Sequence, residues 1–135
     1  KRDERIRFLS CHDSMTGLLN RGCFEQRLRD IDEKEEMPVS IIYIDLNGLK
    51  MMNDTFGHSV GDLVLKEIAI ICKSILRGID IIGRIGGEEF AILLPETDIL
   101  EASQVAERLR IAMSKSEVLI PFDKKSVKLS KVYKK

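Results

Sequence analysis

The stretch Ile79-Asp80-Ile81-Ile82-Gly83-Arg84-Ile85, Gly86-Gly87-Glu88-Glu89-Phe90, Ala91-Ile92-Leu93-Leu94 sets two apolar runs around a glycine pair and two adjacent carboxylates. Runs this short and rich in branched residues, joined by glycines, predict a β-hairpin over residues 79–85 and 89–94, closed by Pro95. The glycines permit positive φ and let a ligand lie close to the backbone, so a phosphate or metal-phosphate group could rest against a tip that carries Glu88 and Glu89.

Working outward, Val39-Ser40-Ile41-Ile42-Tyr43-Ile44 is nearly unbroken and β-branched, the pattern of a strand covered on both faces. It runs into Asp45, which puts a carboxylate at the end of a central strand, where open sheets present ligands. Before it, Phe24, Leu28 and Ile31 recur at helical spacing over residues 21–36, with Asn20 as N-cap and Met37-Pro38 as the break. After it comes a short helical turn over residues 47–54. A long helix over residues 59–76 follows, buried through Leu65, Ile68, Ala69, Cys72, Ile75 and Leu76. Asp98 caps a third helix with the stripe Ala102, Val105, Ala106, Leu109 and Met113. Residues 124–135 are lysine-rich; Val127 and Leu129 alternate as in a strand, yet the segment reads as a solvated, loosely ordered tail. The order αβααββαβ gives an α+β fold, a central, mainly antiparallel sheet flanked by helices, with the residue 39–44 strand beside the hairpin. Asp45 and Glu88 then converge, a pair suited to a hard divalent cation that also takes substrate phosphates.

Composition narrows the function classes. The 135 residues are 44% hydrophobic, enough for one domain with a core. The 22 basic and 22 acidic residues cancel, which argues against a nucleic-acid polymer or an anionic membrane as partner. No apolar run nears the roughly 20 residues of a membrane-spanning helix. Cys11, Cys23 and Cys72 are odd in number and lack Cys-x-x-Cys spacing, so they read as inert thiols of a reducing cytosol. With two histidines, the His12-Asp13 pair cannot build a metal-dependent phosphohydrolase cluster. The start at Lys1, not Met, and the charged helical character of residues 1–10 suggest a piece of a longer protein. Residues 1–12 would then be the end of a signalling helix or linker.

The motifs resemble the GGDEF domain, the diguanylate cyclase module, in its GGEEF form. His12-Asp13-Ser14-Met15-Thr16-Gly17-Leu18-Leu19-Asn20-Arg21 is similar to the family's D-x-L-T-G-L-x-N-R wide turn. The segment Asp45-Leu46-Asn47-Gly48-Leu49-Lys50, then Asn53-Asp54, Gly57-His58 and Gly61-Asp62, is similar to its D-x-D-x-F-K-x-x-N-D…G-H-x-x-G-D block. Arg77-Gly78-Ile79-Asp80 stands at the family's R-x-x-D spacing before Gly86.

The resemblance implies a GGDEF domain over residues 13–135, with a nucleotide-cyclase or polymerase-palm-like fold. It implies condensation of two GTP into cyclic di-GMP and two pyrophosphates by an antiparallel homodimer, each domain holding one GTP. Asp45, the Leu46 carbonyl and Glu88 would hold Mg²⁺, with Mn²⁺ as an alternative, and Glu88 would also assist deprotonation of the attacking hydroxyl. Asn53 and Asp62 would read guanine with His58 nearby; Leu49 would pack against the base and Lys50 would bring charge to the phosphates. Gly86, Gly87, Glu89 and Phe90 would complete the signature turn, and Arg77 with Asp80 would form a product-inhibition site. An upstream sensory domain is implied, and a cytoplasmic location, with a membrane anchor elsewhere left open.

The chain departs from the pattern at Asn47, where the family has an acid, and at Leu49, where it has an aromatic. It also lacks the later S-I-G-x-A and A-K-x-x-G-R-N segments, so a sheet strand, the last helix and triphosphate-gripping residues are expected to be missing. Taken alone, each signal has a plainer reading. The glycine pair could be an ordinary hairpin with solvated acids, Asp45 a turn cap, Asn53-Asp54 a turn signal, His58 a packing residue and Arg77/Asp80 a surface ion pair. A noncatalytic module that binds GTP or cyclic di-GMP is the competing function.

Overall fold

The computed structural model describes residues 4, 10–34, 37–46, 53–55, 57–115 and 127–134. A two-residue strand β1 (Leu19–Asn20) leads straight into helix α1 (Arg21–Lys34), where the Asn20 Oδ1 accepts from the Cys23 amide at 3.0 Å as the N-cap. Strand β2 (Ser40–Leu46) follows, then helix α2 (His58–Ile75), the hairpin β3 (Ile81–Arg84) and β4 (Glu89–Leu94), helix α3 (Ile99–Ser114) and strand β5 (Val127–Lys134). Helix α3 starts at a capping box in which Asp98 accepts from the Glu101 amide and Glu101 reaches back to the Asp98 amide.

The sheet order is β1-β3-β4-β2-β5, antiparallel except for the β1–β3 pair. Period-two alternation divides β2 and β4 between two cores. Ile42, Ile44, Phe90, Ile92 and Leu94 face Leu65, Ile68 and Cys72 of α2 and Leu109 and Met113 of α3. Val39, Ile41, Ala91 and Leu93 face Phe24, Leu28 and Ile31 of α1. At about 1.5–3 kcal/mol for each large apolar side chain removed from water, these two layers outweigh any surface ion pair. They fix where the ends of β2 and the hairpin lie.

Three expectations need correcting. Residues 127–134 are not a loose tail: they form a strand antiparallel to β2 from Leu46↔Val127 to Ser40↔Lys134, longer than the alternation of Val127 and Leu129 suggests. The Cys11 and Cys23 thiols are not free, because the wide turn folds the chain back and brings their Cα atoms to 5.3 Å, where the sulfurs are bonded. Their lack of Cys-x-x-Cys spacing is therefore no argument for a reducing compartment. Lastly, Gly86 and Gly87 do not use positive φ; among the described residues the glycines that do are Gly17 and Gly57, which opens α2. Of the short helix expected over residues 47–54, residues 53 and 54 are helical and 47–52 lie outside the described residues.

Candidate active site

The end of β2 and the hairpin tip meet as their sequences suggest. Asp45 stands opposite Glu89 in the β2–β4 register, and the Leu46 amide donates to the Glu88 carbonyl at 3.0 Å. Asp45 is exposed and Glu88 half-buried, while Ile44, Leu46 and Phe90 beside them are buried, so the acids emerge from a rigid floor. The Ile85 amide donates to the Glu89 carbonyl at 2.9 Å and closes the turn. Among the described residues no three His, Cys, Asp or Glu side chains gather into a self-sufficient metal cage. Asp45, Glu88 and Glu89 put carboxylate oxygens at this edge, with Asp45 and Glu89 directly opposite in the register, and oxygen donors of this kind suit a hard cation.

At the start of α2, the Asn53 Oδ1 accepts from the Gly61 amide at 2.9 Å, which fixes the Asn53 side chain against the helix's first turn. A Cβ on Gly61 would fall 2.2 Å from that oxygen, so the close approach needs glycine. Asp62, next in the chain, is exposed. The fold thus brings Asn53 and Asp62 together at one helix end. His58 opens the same helix, and Leu49 and Lys50 lie outside the described residues.

Arg77 and Asp80 do meet, in a tighter arrangement than a surface ion pair. The Asp80 side chain is only 2% exposed and accepts from the Arg77 backbone amide and from its guanidinium, at 2.8 Å each. Arg77 also donates to the Pro95 carbonyl at 2.9 Å and to Thr97 Oγ1 at 2.8 Å. The hydrogen bond to Asp80 outweighs partial burial and holds the guanidinium above its ordinary pKa.

Sequence reasoning missed one link. Arg84, at the end of β3, donates to both Asp13 carboxylate oxygens at 3.2 Å and to the Gly87 carbonyl at 3.0 Å. Burial works to raise the Asp13 pKa, but bonds from the Thr16 hydroxyl and amide, with Arg84, overcome it and leave the carboxyl below its usual value. The opening wide turn is thereby tied to the signature turn across 71 residues of chain. Only the unexplained Arg just before the glycine pair could have hinted at it.

Comparison with known proteins agrees with this geometry. The profile of the family described as "Diguanylate cyclase, GGDEF domain" matches residues 10–131. The response regulator PleD of Caulobacter vibrioides is 40% identical over 111 residues, 80% of this chain and 24% of that protein. The crystal structure of diguanylate cyclase SiaD in complex with its activator SiaC, from Pseudomonas aeruginosa, superposes with a TM-score of 0.74 at 39% identity. That match covers 82% of this chain and 44% of SiaD. The coiled coil and GGDEF domain of DgcB from Caulobacter crescentus, in complex with c-di-GMP, superposes with a TM-score of 0.79 at 25% identity, over 98% of this chain and 71% of that one. The chain spans about a quarter of PleD's length. With the family profile covering nearly all of it and a relative 40% identical over four-fifths of it, this chain belongs to the GGDEF diguanylate cyclase domain family.

Proposed function

We propose that the chain is the catalytic domain of a diguanylate cyclase, which joins two GTP molecules into cyclic di-GMP and releases two pyrophosphates. The observation that carries this reading is the Leu46–Glu88 backbone bond, which sets the residue after Asp45 beside the first acid of the signature turn. Asp45, Glu88 and the Leu46 carbonyl are hard oxygen donors suited to Mg²⁺ or Mn²⁺. When bound, such an ion neutralises charge on the phosphates and lowers the pKa of a nearby hydroxyl. Glu88 takes the proton of the attacking 3′-hydroxyl. Asp62 accepts from the N1–H and N2–H₂ edge of guanine, a pattern adenine does not offer, and Asn53 pairs with the remaining polar edge. An adenine there leaves these groups without partners, which supplies the discrimination. Among the described residues a Cβ at Gly87 would meet nothing within 4 Å, so packing there does not require glycine, which agrees with a backbone left open to a phosphate.

Each domain holds one GTP, so an antiparallel pair of domains completes the reaction. Arg77 and Asp80 serve as the site where product inhibits, and the domain is driven by a sensory region elsewhere in the full-length protein. The test is incubation of the full-length protein with GTP and Mg²⁺, reading pyrophosphate and the cyclic dinucleotide. Formation of both supports the proposal. Tight binding of labelled cyclic di-GMP with no turnover makes the chain a sensor instead.

A further inference from the structure

The wide turn closes on itself through a covalent bond. Ser10 and Cys11 are helical, and the chain then reverses through residues 12–18 to reach β1 and α1, where Cys23 lies in the first turn. Both cysteines are half-buried and line an open cleft of about 460 Å³ together with His12, Gln26 and Arg27, so a small reductant can reach the sulfurs. Glu4 and Arg27 line the same cleft, so charges of both signs stand near the sulfurs. The third cysteine, Cys72, is fully buried, and burial pushes its thiol up to about 12, which leaves it unreactive.

The bond encloses the residues that hold the signature turn. Between Cys11 and Cys23 lie Asp13, whose amide donates to the Leu18 carbonyl at 2.7 Å, and Gly17, whose amide donates to the Asp13 carbonyl at 2.8 Å. Asp13 grips Arg84, and Arg84 grips the Gly87 carbonyl. We propose that Cys11–Cys23 is a thiol–disulfide exchange site through which the redox state of the surroundings sets the rigidity of the wide turn and, along Asp13 and Arg84, of the signature turn. The thiolate of a low-molecular-weight thiol attacks one sulfur, the Cys11–Cys23 bond breaks and a mixed disulfide forms. A second thiol molecule releases it, so two thiols are oxidised to one external disulfide and both cysteines end reduced. Loss of the cross-link returns conformational freedom to the loop, which is held thereafter by hydrogen bonds, the Asp13–Arg84 ion pair and the buried Leu18.

The test uses the full-length protein without GTP, so its outcome is independent of the proposed reaction. Iodoacetamide under native, air-oxidised conditions should modify neither Cys11 nor Cys23, and after treatment with a dithiol reductant it should modify both. Hydrogen exchange at the Asp13, Gly17 and Ile85 amides should then quicken several-fold. A Cys11→Ser variant should exchange at that faster rate with or without reductant. Alkylation of both cysteines before reduction overturns the proposal, as does an Ile85 exchange rate that reduction leaves unchanged.

Discussion

At the scale of single residues, the site combines acids that contribute little to folding with polar groups that fix its geometry. Glu88 is half-buried at a turn whose closure depends on backbone bonds, so Glu88→Gln should leave the circular dichroism spectrum and Tm unaltered. Under the proposed function the same change removes turnover by two orders of magnitude or more, on the order of a lost charge-stabilising group. Undiminished pyrophosphate release would remove Glu88 from the reaction. Gly61 gives a subtler case. Alanine in a helix normally gains about 1 kcal/mol over glycine, but here its Cβ displaces the Asn53 oxygen and breaks a bond of about the same value. Gly61→Ala should therefore keep Tm within a few degrees while, under the proposed function, raising KM for GTP several-fold, because the Asn53 amide has moved. Asp13 is the residue whose ionisation supports the fold. Its pKa is lower in the folded state than the ordinary 3.8, so its contribution is complete above that value and drains away as pH falls through the lower, folded one. Urea titrations of the wild type and Asp13→Asn should differ by about 1.5–3 kcal/mol at pH 7, and the gap should narrow below roughly pH 4.

At the scale of elements, connections between layers decide what can move. Helix α1 sits against β3 because Gly83 leaves room for the Phe24 ring: a Cβ there would meet the ring at 2.9 Å. Gly83→Ala should cost about 1–3 kcal/mol in denaturant melts, an overpacking penalty at a well-filled contact. The turn from α2 into β3 is latched to the turn from β4 into α3 by Arg77, whose partners include Asp80, Pro95 and Thr97. A ligand that uses the Asp80 carboxylate has to draw Arg77 away from it. Under the proposed function the displaced guanidinium itself grips the ligand, so Arg77→Ala should relieve inhibition by added cyclic di-GMP, and it should lower Tm as well, since the buried Asp80 carboxylate loses its charged partner. An unchanged inhibition curve would reject the product-site assignment.

Most of this architecture was readable because long elements repeat their signal. Strand β4 takes in the apolar run Phe90–Leu94 with Glu89 before it, and the capping Asp98 and Asn20 sit where short polar side chains satisfy helix-end amides. What escaped the sequence lacked a local signature. Strand β1, with two residues, is too short for any period, and β5 carries the lysines that an edge strand uses against aggregation, which made it look like a tail. The disulfide and the Asp13–Arg84 pair arise only once the chain has folded, the latter across a sequence separation of 71.

For the whole molecule, the decisive issue is how many copies of the site a reaction needs. Under the proposed function the domain brings one strand-end acid, one signature turn and one Asn53–Asp62 pair to the reaction, a set that serves a single nucleotide. Joining two GTP molecules under the proposed function therefore requires two domains face to face, each attacking the nucleotide of the other. Positioning, not a strong nucleophile, then carries the rate, because the reactive hydroxyl and phosphate are held on different chains. Specific activity of the full-length protein should rise with enzyme concentration while dimers are scarce, in proportion to the fraction paired, and level off when pairing is complete. Mixing an excess of the Glu88→Gln protein into wild type should depress activity beyond simple dilution, since mixed pairs contain one disabled half. A specific activity independent of concentration, in a sample that sedimentation shows to be monomeric, would mean that one domain handles both nucleotides and would overturn the paired-site reading.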